Sequence, residues 1–208
     1  MSITLDTICR IDHQAALVAV ELDIITCPEW GARKPSSPIT FVDEAERIIF
    51  HHTAGHHREI TNPNNESEAE AIQYARDIQA YHMGQGWKDS GHNFLVMRSG
   101  RVLQGRWRTV HTITRGRMVD SAHCPGQNDQ IGIEHEHAGS EPMTPAQRLG
   151  SAVLMAWIAW HYKRPTVLPV FPHKAYINTA CPANLIRDIP TIRHMAQQIL
   201  TKALHHET

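Results

Sequence analysis

What most limits the fold of this chain is the alternation of short apolar runs with longer segments of helical period. "IIF" (48–50), "FLV" (94–96) and "IGI" (131–133) are rich in β-branched or aromatic residues and too short for helices, so they are expected as strands of a buried sheet. Between them, "EAEAIQYARDIQAYHM" (68–83) puts Ile72, Ala75, Ile78 or Gln79, and His82 on one helical face. "NFLVMRSGRVLQG" (93–105) predicts a hairpin turning at Ser99-Gly100. "MTPAQRLG" (143–150) marks a helix start, with Thr144 as N-cap, Pro145 at the first helical position and Gln147 completing a capping box. The apolar stripe that follows is Leu149, Ala152, Val153, Ala156, Trp157 and Trp160, and a last helix begins near Ile189. Strands interleaved with helices imply an α/β fold, a single domain with a central mixed sheet flanked by helices. A chain of 208 residues suits one such domain, placed at 27–200 after an N-terminal arm (1–26, a small arm or strand pair) and before a polar tail (201–208) in which His205 and His206 are expected to be disordered.

The first strand raises a chemical question, because "RIIFHHTAG" (47–55) runs directly into two histidines. Side chains alternate along a strand, so His51 and His52 point to opposite faces and only one can serve a given site. The chain carries 16 histidines, which raises the expectation of a metal or proton-transfer site. A balance of 20 basic and 21 acidic residues gives no electrostatic case for nucleic acid or an anionic membrane. No run approaches the roughly 20 apolar residues of a membrane span. The opening 27 residues do not read as a secretory signal, so the chain is expected to be made in the cytoplasm. Cys9, Cys27, Cys124 and Cys181 form no CxxC pair. They are expected to be reduced, with Cys9–Cys27 pairing an option in an oxidising compartment.

In "PHKAYINTACPANL" (172–185), His173 and Cys181 lie eight apart, outside zinc-finger spacing and too far for one helical face. By itself that spacing is weak evidence for a metal and better describes a loop histidine and a buried structural cysteine. "DQIGIEHEH" (129–137) sets Ile131 and Ile133 on one side of a strand and Glu134 and Glu136 on the other.

Taken together, "EWGAR" (29–33), "IIFHHTAG" (48–55), "IQAYHMGQGWKDSGHNFLV" (78–96), "GRVLQGR" (100–106), "SAHCPGQNDQIGIE" (121–134), "MTPAQ" (143–147) and "HKAYINTACP" (173–182) resemble, in order, the zinc N-acetylmuramoyl-L-alanine amidases of the phage-lysin and peptidoglycan-recognition-protein superfamily. The resemblance implies one Zn²⁺ per chain, held by His51, His173 and Cys181 with the fourth tetrahedral position left for water. It implies Glu134 as general base, as in cytoplasmic recycling members, and Thr179 as a hydroxyl able to donate to the oxyanion. His92 stands where many members have tyrosine. His92, His123 and Trp87 are expected on the substrate side of the cleft; Trp87 and Trp107 are candidate sugar platforms, although indoles more often serve the core.

The implied activity is hydrolysis of the amide between N-acetylmuramic acid and the L-alanine of the stem peptide. A phage-lysin-like enzyme released onto the cell wall, a cytoplasmic amidase of soluble muropeptides, a non-catalytic peptidoglycan-binding module and a zinc-stabilised structural protein are the competing readings. Non-catalytic relatives typically lose a metal ligand, and all three candidate ligands are present here.

Overall fold

The computed structural model describes residues 22–54 and 66–206. In chain order they form β1 (Ile24–Ile25), β2 (Phe41–Val42), β3 (Ile48–His52), α1 (Glu68–Gly84), β4 (Phe94–Val96), β5 (Val102–Gln104), α2 (Thr109–Ile113), β6 (Met118–Val119), β7 (Ile131–His135), α3 (Pro145–His161), β8 (Val170–Pro172) and α4 (Ile189–His206). Two 3₁₀ turns, His173–Ala175 and Ala183–Arg187, sit between β8 and α4.

The main sheet runs β1-β5-β4-β7-β3-β8, and β2 pairs with β6 in a small second sheet. Within the main sheet β4 and β5 are antiparallel, and the other neighbours are parallel. The sheet is therefore mixed, as the sequence predicts. Its central strands are apolar because both faces are covered. Ile48 and Phe50 of β3, Phe94 and Val96 of β4, and Ile131 and Ile133 of β7 pack on one side with Leu154, Trp157 and Ile158 of α3 and with Ile192, Ala196 and Leu200 of α4. On the other side Leu95 and Leu103 pack with Ala71, Tyr74, Ala75 and Ile78 of α1 and with Trp30. That helix lies over one half of the sheet, and the histidine-rich end of β3 and β7 lies beside it.

The helix ends differ in detail from the sequence expectation. Thr144 caps α3 by accepting from the Gln147 N–H. The Gln147 side chain does not close a box, however. Its Nε2 donates to the carbonyls of Val96 and Glu136, pinning α3 to the ends of β4 and β7. A complete capping box occurs instead at Ser67 and Glu70 of α1. On α1 the buried face is Ala71, Tyr74, Ala75, Ile78, Gln79 and His82, with Ile72 only partly covered. Val153 and Trp160, expected in the α3 stripe, lie at its partly buried margin.

The hairpin turns at Ser99-Gly100 as expected, and Gly100 has φ +84° with no space for a Cβ beside the Ala146 carbonyl. Residues 201–206, expected as a polar tail with His205 and His206 disordered, continue α4, because Ala203 extends the buried stripe of Ile192, Ala196, Ile199 and Leu200. At the other end, the arm expected at 1–26 contributes β1 to the sheet edge, and its residues 1–21 lie outside the described residues. Cys27 is a buried free thiol donating toward the Gln104 carbonyl, and Cys9, its suggested partner, also lies outside the described residues.

Candidate metal centre

His51 lies near the C-terminal end of β3, on the strand face opposite the Ile48 and Phe50 side chains, and is 2% exposed. His173 begins the 3₁₀ turn immediately after β8, and β8 is the other neighbour of β3. The chain then loops back, and the Lys174 N–H donates to the Cys181 carbonyl at 2.9 Å. This bond closes the eight-residue gap that makes the pair uninformative in the sequence. The thiol is further oriented by the His52 backbone N–H, which donates to Sγ at 3.4 Å.

One donor atom from each of His51, His173 and Cys181 falls within 4.8 Å of the others. Nδ1 of His51 is 3.8 Å from Sγ of Cys181. A zinc ion with ordinary Zn–N and Zn–S bonds holds two such ligands about 3.6 Å apart at the tetrahedral angle. Nε2 of His173 is buried and has no hydrogen-bond partner, a costly arrangement unless something is coordinated there. Two imidazoles and one thiol also match the donor preference of zinc.

Burial, with His92 and His123 close by, pushes His51 well below the usual imidazole range. His173 is lowered by burial and by His52. Both rings therefore keep a lone pair at neutral pH. Burial pushes the Cys181 thiol up to about 12, so without a cation it stays protonated. Metal binding at such a site must displace that proton.

Glu134 is the β7 register partner of His51 on β3, so the two side chains rise from the same face of the sheet. The carboxylate is 5% exposed. Nδ1 of His92 lies 2.9 Å from Oε2 of Glu134. His82 joins them, and the three offer donor atoms within 4.8 Å of one another. This second group is not built as a metal shell. Nδ1 of His82 accepts the Gly91 N–H at 3.2 Å, so its proton sits on Nε2 and the ring faces its neighbours as a donor.

The Thr179 hydroxyl accepts the Cys181 N–H at 3.2 Å and keeps its own proton for donation. Trp87 stacks on His82 with centroids 4.7 Å apart, and Gly91 leaves room for the indole. His92, expected to touch substrate, is buried beside Glu134. His123, also expected to line the cleft, is buried behind His51 with both ring nitrogens facing protein atoms. Trp107 is not part of this cluster. Its indole donates to the Arg33 carbonyl and carries the Lys34 ammonium over its ring.

Two residues escaped the sequence reading. His82 reads as one more position on the buried face of α1, and only its spacing to Trp87 hints otherwise. His135 is buried on the opposite face of β7, with Nδ1 at 3.0 Å from the His51 carbonyl and Nε2 at 2.9 Å from the Ser151 hydroxyl. It anchors the backbone that presents His51.

Residues 42–184 match the family model described as N-acetylmuramoyl-L-alanine amidase. Peptidoglycan-recognition protein SC2 of Drosophila melanogaster is 28% identical over 180 residues, covering 85% of this chain and 89% of that protein. Among solved structures, peptidoglycan recognition protein-LE in complex with tracheal cytotoxin superposes with a TM-score of 0.65 at 25% identity, covering 81% of this chain and 92% of the other. The amidase LysC of Clostridium intestinale has the same fold at a TM-score of 0.58 and 22% identity, with 81% and 95% covered. A family match across most of the length, the motifs in order and the shared fold place the chain in the superfamily of type 2 N-acetylmuramoyl-L-alanine amidases and peptidoglycan-recognition proteins.

Proposed function

We propose that this protein is a zinc-dependent amidase that hydrolyses the bond between N-acetylmuramic acid and the L-alanine of the peptidoglycan stem peptide. The observation that carries the proposal is the convergence of His51, His173 and Cys181 beside Glu134, a carboxylate on the adjoining strand. A module that only binds peptidoglycan needs neither the complete donor set nor a buried carboxylate beside it.

His51, His173 and Cys181 would hold the zinc, which when bound supplies Lewis acidity for the scissile carbonyl and makes water a stronger acid. Glu134 accepts the proton of the attacking water and returns it to the leaving nitrogen, so the amide becomes a carboxylate and a free amino terminus. The proton on the Thr179 hydroxyl is available to the carbonyl oxygen as negative charge develops there. The buried, neutral His92 ring lies against the base carboxylate, with Nδ1 2.9 Å from Oε2 of Glu134. The low exposure of His51, Glu134 and His92 limits bulk water around these groups and strengthens each interaction.

The test is incubation of the protein with purified sacculi and, separately, with soluble muropeptides, followed by mass spectrometry of the products. Release of stem peptides beginning with free L-alanine supports the proposal. Preference for sacculi points to a lysin-like enzyme, and preference for soluble muropeptides to a recycling one. Binding to sacculi with no release would favour a recognition module, the role named for several relatives.

A further inference from the structure

We infer that His123 is a positioning residue that fixes the tautomer of His51, and so decides which His51 nitrogen is offered to a metal. This rests on the reading that His51, His173 and Cys181 form the zinc shell.

The hydrogen-bond chain starts at a group that can only accept. Nε2 of His123 lies 3.0 Å from the Gln130 carbonyl oxygen, so that nitrogen must carry the proton. A neutral ring has a single N–H, and the other nitrogen, Nδ1, is then a bare acceptor. Nδ1 of His123 is 2.9 Å from Nε2 of His51, so the His51 proton must lie on Nε2. His51 is left with its lone pair on Nδ1, and Nδ1 is the atom 3.8 Å from Cys181 Sγ. One backbone carbonyl thus sets, through two rings, the orientation of the metal-facing lone pair. The opposite tautomer would put N–H against the metal position and leave His123 without a donor.

The protein is shaped around this relay. β7 carries Gly132 directly beneath His123, and a Cβ there would overlap the imidazole ring. The two rings meet edge to face, with centroids 4.9 Å apart and planes at 78°. Both are nearly fully buried, so water cannot take over either hydrogen bond. Outer hydrogen bonds of this type fix the tautomer and ring orientation of metal-binding histidines, and losing one typically weakens metal binding roughly 10–100-fold.

The test uses the full chain labelled with nitrogen-15 at histidine, in metal-free and zinc-loaded forms. Long-range nitrogen–proton spectra of the metal-free wild type should show His51 protonated at Nε2, and a proton on Nδ1 would overturn the inference without any variant. Zinc affinity is then measured by competition with a chelating dye. His123→Ala should lose affinity roughly 10–100-fold and show a mixed His51 tautomer. His123→Asn, whose Oδ1 can replace the Nδ1 acceptor, should recover most of the affinity and the Nε2–H tautomer. Equal losses in both variants, or wild-type affinity and tautomer in His123→Ala, would overturn it. Failure of the wild type to bind zinc would instead sink the metal reading, while the tautomer spectrum still decides the role of His123.

Discussion

His51 on β3 and Glu134 on β7 are direct partners in a parallel register, one a candidate metal ligand and the other the candidate base. Adjacent strands of a sheet hold such a pair more rigidly than two loops would, and this fixes the carboxylate relative to the donor set. Glu134→Gln keeps the shape of the side chain and removes its ability to accept a proton. It should lower kcat roughly 10²–10⁴-fold while zinc content and binding to sacculi stay near wild type. Steady-state kinetics with metal analysis of the same preparation checks this. Loss of zinc from the variant would move Glu134 from base to metal support.

Cys181 and Cys124 are both buried and differ in surroundings, so their substitutions should separate. Cys181→Ser replaces a potential thiolate by a poor neutral ligand and should weaken zinc binding sharply. Cys181→Asp should retain part of it, since carboxylate oxygen is an accepted zinc ligand. Cys124→Ser should lower thermal stability and leave zinc affinity unchanged. Zinc titrations and melting curves of the three variants decide the matter, and equal zinc losses for Cys124→Ser and Cys181→Ser would contradict the assignment.

The sheet and the helix order were legible because burial on both faces demands continuous apolar strands, and "IIF", "FLV" and "IGI" supply them. His51, His173, Cys181 and Glu134 were legible only as pieces of a motif series. Their meeting depends on β3 lying between β7 and β8, a crossover order that no local pattern encodes. The burial of His123 beside His51 is not legible in the sequence, which does not show that Gly132 opens a slot for its ring. His82 and His135 were missed for a related reason. A buried histidine on a helix or strand looks like any other core position until its hydrogen-bond partners are known. The continuation of α4 to His206 was hidden by the polar composition of its last turn.

Acid should destabilise the metal-free protein from near-neutral pH downward. Burial pushes His123 and His135 down to about 3 from the ordinary 6.5. Because the folded values are depressed, their contribution to stability is complete above about pH 6.5 and is lost as pH falls toward 3. Each ring that protonates only on unfolding steepens the loss by up to about 1.4 kcal/mol per pH unit in that window. Urea midpoints should fall between pH 7 and pH 5, and an unchanged midpoint would mean that these rings are not buried neutral.

Gly132→Ala adds a methyl group where the His123 ring already sits. The ring or the β7 backbone must shift, so the variant should be destabilised by roughly 1–3 kcal/mol. Chemical denaturation measures this. Full stability would show that the slot beside His123 has room for a methyl group.

Water-driven cleavage of one particular amide can be read from the products of a reaction run in heavy-oxygen water. Sacculi are digested with zinc-loaded protein, and both product classes are weighed by mass spectrometry. Zinc-dependent hydrolysis should leave one heavy oxygen on the lactyl carboxylate of N-acetylmuramic acid and release stem peptides with an unlabelled, free L-alanine amino terminus. Label in any other bond, or no released peptide from sacculi or soluble muropeptides, would contradict it.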